Sequence, residues 1–114
     1  MANTFKLVTK ANVTSSDVIY TPDSVTTVIL GLILGNTTTS QVTATVSLAS
    51  TTSSRAGDNN ENNQTVELIT NTPIPAGSSL ELLAGNKVVM ENNDALSVSA
   101  TVSTDVALSI MEIS

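Results

Sequence analysis

The chain has 114 residues, no cysteine and no histidine, with 4 basic against 10 acidic side chains and a net charge of −6. That length supports one domain with a single core, spanning 1–114. The missing residue types exclude disulfides, Cys/His zinc centres, imidazole acid–base chemistry and thiol nucleophiles. The four scattered cations, Lys6, Lys10, Arg55 and Lys87, do not form the positive cluster that a nucleic-acid surface requires.

Hydrophobic residues make up 40% of the chain, yet Phe5 and Tyr20 are its only aromatics. The core must therefore be built from many aliphatic contributions, each worth roughly 25 cal/mol per Å² of apolar area buried. A thin core of this kind gains from oligomerisation. Ser and Thr account for 33 of the 114 residues. They alternate with Val, Ile, Leu and Ala, a pattern of half-buried strands and not of a disordered stalk.

In chain order, residues 4–9 predict a first strand with Phe5 and Leu7 on one face, and 12–16 a polar connection. Residues 17–21 predict a second strand, closed by a Pro22–Asp23–Ser24 turn. The segment 25–35 (VTTVILGLILG) is the most apolar. Its alternation places Val28, Leu30, Leu32 and Leu34 on one face and Ile29, Gly31 and Ile33 on the other. Apolar residues on both faces make it a central strand or one whose outer side meets a neighbour, and Gly31 marks a bulge or a close backbone approach.

Residues 36–40 read as a hairpin loop. Residues 41–49 then alternate almost without a break, with Val42, Ala44, Val46 and Leu48 inward. The segment 50–63 is a long polar, Asn-rich loop, of a length that is usually functional. Residues 64–71 form another strand, with Val66, Leu68 and Thr70 on one face.

The stretch 73–99 reads as a compact run of hairpins, three short strands cut by turns at 75–77, 84–87 and 91–94, with Leu80 and Leu82, Val88 and Met90, and then Leu96 and Val98 each sharing a face. This last alternation runs on through Ala100 to Val102. Residues 106–113 close the chain, with Val106, Leu108 and Ile110 on one side. Met111 and Ile113 lie on the other, as a late bulge would place them. Eight or nine short strands at turn spacings of about 8–12 residues define an all-β, single-domain antiparallel β-sandwich, of jelly-roll or Ig-like topology.

Residue types that carry chemistry are sparse. The run Asp58, Asn59, Asn60, Glu61, Asn62, Asn63 offers oxygen ligands for Ca²⁺ but lacks the spacing of a helix–loop–helix calcium site. Its plainer reading is a solvated loop, and that of Glu91–Asp94 is a hairpin turn. The five Asp and five Glu fall mostly in turns or on outward positions, with no aromatic platform for a sugar and no nucleophile-elbow pattern. No catalytic residue, metal ligand or cofactor is assigned. Asn12, Asn36 and Asn63 each begin a glycosylation triplet of the kind that arises by chance in a Thr-rich chain.

Two blocks resemble a group of small all-β virion structural proteins of tailed bacteriophages, especially phages of aquatic bacteria. One runs from Tyr20, Thr21 and Pro22 into residues 25–32 (VTTVILGL). The other joins 73–82 (PIPAGSSLEL), 85–91 (GNKVVME), Asp94, Ala95 and Leu96, and the terminal Met111, Glu112 and Ile113. The resemblance implies a non-enzymatic capsid decoration or cement protein. Its expected partner is the major capsid protein or another virion protein, and its expected assembly is a homo-oligomer, with a trimer favoured.

The resemblance also admits a tail, neck or fibre component, including one that binds a host surface. A carbohydrate-binding module is a third reading, opposed by the missing aromatics. The first ten residues, MANTFKLVTK, lack the apolar stretch of a secretory signal. The longest apolar run, 28–34, is far short of a membrane span. The expected location is the virion, assembled in the host cytoplasm, with no contact to membrane or nucleic acid.

Overall fold

A computed structural model gives the fold and describes residues 3–50, 64–83 and 87–114. Nine strands run through these residues: β1 Asn3–Val13, β2 Asp17–Tyr20, β3 Thr26–Gly35, β4 Val42–Ser50, β5 Gln64–Ile74, β6 Ser79–Leu82, β7 Val88–Met90, β8 Ala95–Ala100 and β9 Thr104–Ile113. Among the described residues there is no helix, and so none long and apolar enough to cross a membrane.

Every strand pairing is antiparallel. Sheet A has the order β1-β9-β3-β6, with β7 also on β3, and sheet B the order β2-β8-β4-β5. Successive strands cross between the sheets, except within the β4–β5 and β6–β7 pairs. This nesting of strands 1-9-3-6 against 2-8-4-5 is the jelly roll, which resolves the topology that the sequence left open.

The inner faces follow from strand alternation. Sheet A contributes Ile29, Leu32 and Leu34 from β3, Val106, Leu108 and Ile110 from β9, and Met90 from β7. Sheet B contributes Val42, Ala44 and Val46 from β4, Leu96 and Val98 from β8, Ile19 from β2 and Ile74 from β5. Most of these side chains are completely buried. Each fully buried Val, Leu or Ile contributes about 1.5–3 kcal/mol relative to its exposed state. Among the described residues the fully buried core is aliphatic, with Tyr20 packed against it.

The structure departs from simple alternation at identifiable points. The β3–β9 register shifts between Ile29 and Gly31. Thr27 and Ile29 therefore point inward before the shift and Leu32 and Leu34 after it, while Val28 and Leu30 are only half-buried. The Gly31 bulge is confirmed, and the expected single face of Val28, Leu30, Leu32 and Leu34 is divided by it.

The β4–β5 register shifts twice. As a result Leu68 and Ile69 both pack against the core, while Val66, opposite the inward Leu48, is 54% exposed near the start of β5. Alternation through β9 is unbroken, so Met111 and Ile113 are ordinary outward positions and need no late bulge. Strand β8 ends at Ala100, which leaves Val102 46% exposed and not inward.

Strand β1 runs into the expected polar connection 12–16 as far as Val13, which is fully buried. The Ala100 N–H donates to the Thr14 carbonyl and ties that corner to sheet B. Residues 36–40 join different sheets and form an arch, not a hairpin. Likewise β6 and β7 both pair with β3 and not with each other, so 73–99 is not a run of hairpins.

Candidate interaction surface

The outer face of sheet A is apolar across its width. The strand registers set Phe5, Met111, Val28 and Val89 in one row across β1, β9, β3 and β7. The next row is Leu7, Ser109 and Gly31, and the next Thr9, Ala107, Ile33 and Glu81. Phe5 is 71% exposed, Leu7 65%, Val89 52% and Ile33 45%.

The small residues Gly31, Ala107 and Ser109 leave a trough between the rims. One groove of about 340 Å³ is lined by Leu7, Leu30, Gly31, Leu82 and Ser109 among others. A second, of about 350 Å³, continues past Thr9, Ile33 and Gly35. Sheet B differs. Its outer face carries Thr43, Thr45, Ser47, Ser97 and Ser99, with Val18 as its large exposed apolar residue. Exposed apolar side chains gathered on one face mark an interaction site more strongly than scattered ones.

One end of the sandwich is closed by a polar latch. The Tyr20 hydroxyl lies 2.7 Å from Thr27 Oγ1 and donates to Glu112 Oε2. The other Glu112 oxygen, Oε1, is 2.7 Å from Lys6 Nζ. Tyr20 belongs to sheet B, and Lys6, Thr27 and Glu112 to sheet A, so the latch joins the sheets. Burial, then the bond to Glu112, pushes the Tyr20 hydroxyl up to about 12. The Lys6 ammonium, then Tyr20, holds the Glu112 carboxyl below its ordinary value.

The candidate ion-binding loop 58–63 lies outside the described residues. At 91–94, Asp94 is fully buried, and its Oδ2 accepts from the Glu91 N–H at 3.0 Å. Asn92 Oδ1 accepts from the Ser24 N–H at 2.7 Å, and the Asn93 N–H donates to the Pro22 carbonyl. These side chains hold a turn and dock it on residues 22–24. Among the described residues, no group of three or more His, Cys, Asp or Glu is placed to hold a metal ion.

Asn36, expected to match a glycosylation triplet only by chance, is 2% exposed and donates to the Ser40 and Ile74 carbonyls. Sequence reasoning singled out no residue of the sheet A face as functional. The signals it held were β3, apolar on both sides, and the glycine inside it.

No family model matches the chain, and no curated protein matches it. Among solved structures, a protein of the Bacillus endospore appendages, a family of disulfide-linked pili, aligns over 96% of this chain and 85% of its own. The identity is 12% and the TM-score 0.44. The likeness carries no functional argument.

Proposed function

We propose that the chain is a non-enzymatic structural module of an assembled particle, and that the particle is a tailed-phage virion whose capsid it decorates or cements. The observation that carries the assembly role is the outer face of sheet A, where Phe5, Leu7, Ile33 and Val89 stand exposed around a trough floored by Gly31. The resemblance of residues 20–22, 25–32, 73–82, 85–91, 94–96 and 111–113 to small virion proteins supports the choice of particle. The jelly roll itself serves capsid and lectin domains alike, so fold alone does not choose between them.

The mechanism is passive. A rigid two-sheet body presents one apolar face and its loops to neighbouring subunits, and each contact added across a subunit boundary holds the shell against internal pressure. Proteomics of purified particles tests the reading. Hundreds of copies per particle support capsid decoration, a dozen or fewer point to the neck or tail, and absence refutes a virion role. Particles lacking the chain that survive heat and osmotic shock like intact ones remove the cement role.

A further inference from the structure

We infer that the outer face of sheet A seats a second copy of this chain, packed face to face about a two-fold axis that runs along the strands between β9 and β3. The inference goes beyond the virion reading and concerns the purified protein alone.

The first argument is Gly31. Its backbone lies outside the left-handed region, and a Cβ built on it would meet nothing within 4 Å. The bulge beside it therefore does not demand glycine, and neither does packing within the chain. A glycine inside a strand weakens that strand and marks a place where another backbone approaches closely. Gly35, on the same face, also lies outside the left-handed region, and its Cβ would make only ordinary contact, 3.9 Å from the Asp105 carbonyl. Two positions on either side of Ile33 thus lack side chains that the monomer could accommodate.

The second argument is self-complementarity. The stated axis exchanges β9 with β3, and β1 with β6 and β7, while keeping each row level. Phe5 of one copy then covers Val89 of the other, and Ala107 covers Ile33. Ser109 meets Gly31, where the missing side chain lets the sheets close. Leu7 falls over the groove that Leu30, Gly31 and Leu82 line.

The third argument is charge. Glu81 lies in the row of Thr9 and Ile33, and Asp105 lies opposite Gly35, so both carboxylates are on this face, whereas Lys10, opposite the inward Val106, is on the other. The two-fold sets each Glu81 over Thr9 and each Asp105 over Gly35 of the other copy, so no like charges meet across the interface.

The fourth argument is area. Four strands about 4.8 Å apart, over nine residues of about 3.3 Å each, cover on the order of 600 Å² per copy. Two copies bury on the order of 1,200 Å², the lower end of specific interfaces. A reversible dimer in the micromolar range fits that area. It differs from the trimer expected from the sequence.

Sedimentation equilibrium of the full chain across concentration is the test. The wild type associates to a dimer. Thr9→Glu sets a carboxylate over Glu81 of the other copy and weakens it by about tenfold, and adding Glu81→Lys restores it to within a few-fold. Gly31→Val raises the urea midpoint of the dilute chain, because a β-branched residue replaces glycine in a strand, and weakens the dimer by about tenfold or more. A wild type that stays monomeric at millimolar concentration, or forms a trimer, overturns the inference. So does a Thr9→Glu, Glu81→Lys double variant that fails to restore association, or a Gly31→Val chain that dimerises like the wild type or loses stability.

Discussion

Tyr20→Phe probes the latch that joins the two sheets. The ring remains, so packing is conserved, and only the hydroxyl is removed. Thr27, which is fully buried, loses its partner at 2.7 Å, and Glu112 keeps Lys6 alone. A neutral hydrogen bond contributes about 0.5–1.5 kcal/mol and one to a charged group about 1.5–3 kcal/mol. The Glu112 side chain is 17% exposed and Lys6 52%, so water and Lys6 offset part of the loss. The expected cost near neutral pH is about 2 kcal/mol, or roughly 8 °C in Tm for a domain of this size.

The pH dependence has a definite sign at both ends. Glu112 is depressed in the folded chain, so its contribution is full above the ordinary value of 4.5 and is lost as pH falls through the folded value. Tyr20 is raised, so its contribution is full below 10.0 and is lost as pH rises through about 12. Urea denaturation followed by far-UV circular dichroism should show the gap between wild type and variant narrowing once Glu112 is protonated. Tyr20 is the only tyrosine in the chain. Phenolate absorbance of the folded wild type should therefore titrate near 12 rather than 10.0. A variant as stable as the wild type near neutral pH, or a phenolate midpoint at 10.0, refutes the latch.

Three further substitutions test the core and corners by equilibrium unfolding. Leu108→Ala removes a fully buried side chain from the middle of β9 and should cost about 2–5 kcal/mol. Asn36→Ala strips the Ile74 and Ser40 carbonyls of a buried donor, for an expected loss of about 2–3 kcal/mol. Gly77 has φ of 69°, so Gly77→Ala should destabilise the 75–78 turn by about 1 kcal/mol although a Cβ there meets nothing. That outcome is opposite in sign to the one for Gly31, where space is equally free but φ makes no demand.

The parts of this fold legible in the sequence are those set by local alternation. Strand β4 has Val42, Ala44, Val46 and Leu48 inward because nothing interrupts its period of two, and Gly31 marked its bulge correctly. Registers disturbed by bulges were not legible. The two shifts along β5 turn Leu68 and Ile69 to the core together, and no single alternating pattern describes that. Pairing between sheets was not legible either. Turn residues announce a reversal at 36–40 or 84–87 but not whether the chain returns to the same sheet.

The latch joins Lys6 to Glu112, near opposite ends of the chain, through a contact that exists only after β1 pairs with β9. The apolar outer face was half legible. Phe5 and Leu7 were seen to share a side, and β3 to be apolar on both sides, but only the registers place them on one surface with Val89 and the trough.

The most direct measurement of that surface uses the absence of cysteine from the chain. In a Phe5→Cys, Val89→Cys variant the two thiols sit on opposite edges of one sheet, about three interstrand steps or 14 Å apart. Across the proposed two-fold the same positions face each other, on sheets packed about 10 Å apart, too far for a direct disulfide. A bis-maleimide with a span of about 8 Å reaches between thiols that point at each other across that gap and not along the roughly 14 Å within one copy. Denaturing electrophoresis should then show a covalent dimer, and neither single variant should give one with comparable yield. A double variant that stays folded and monomeric after cross-linking contradicts the account.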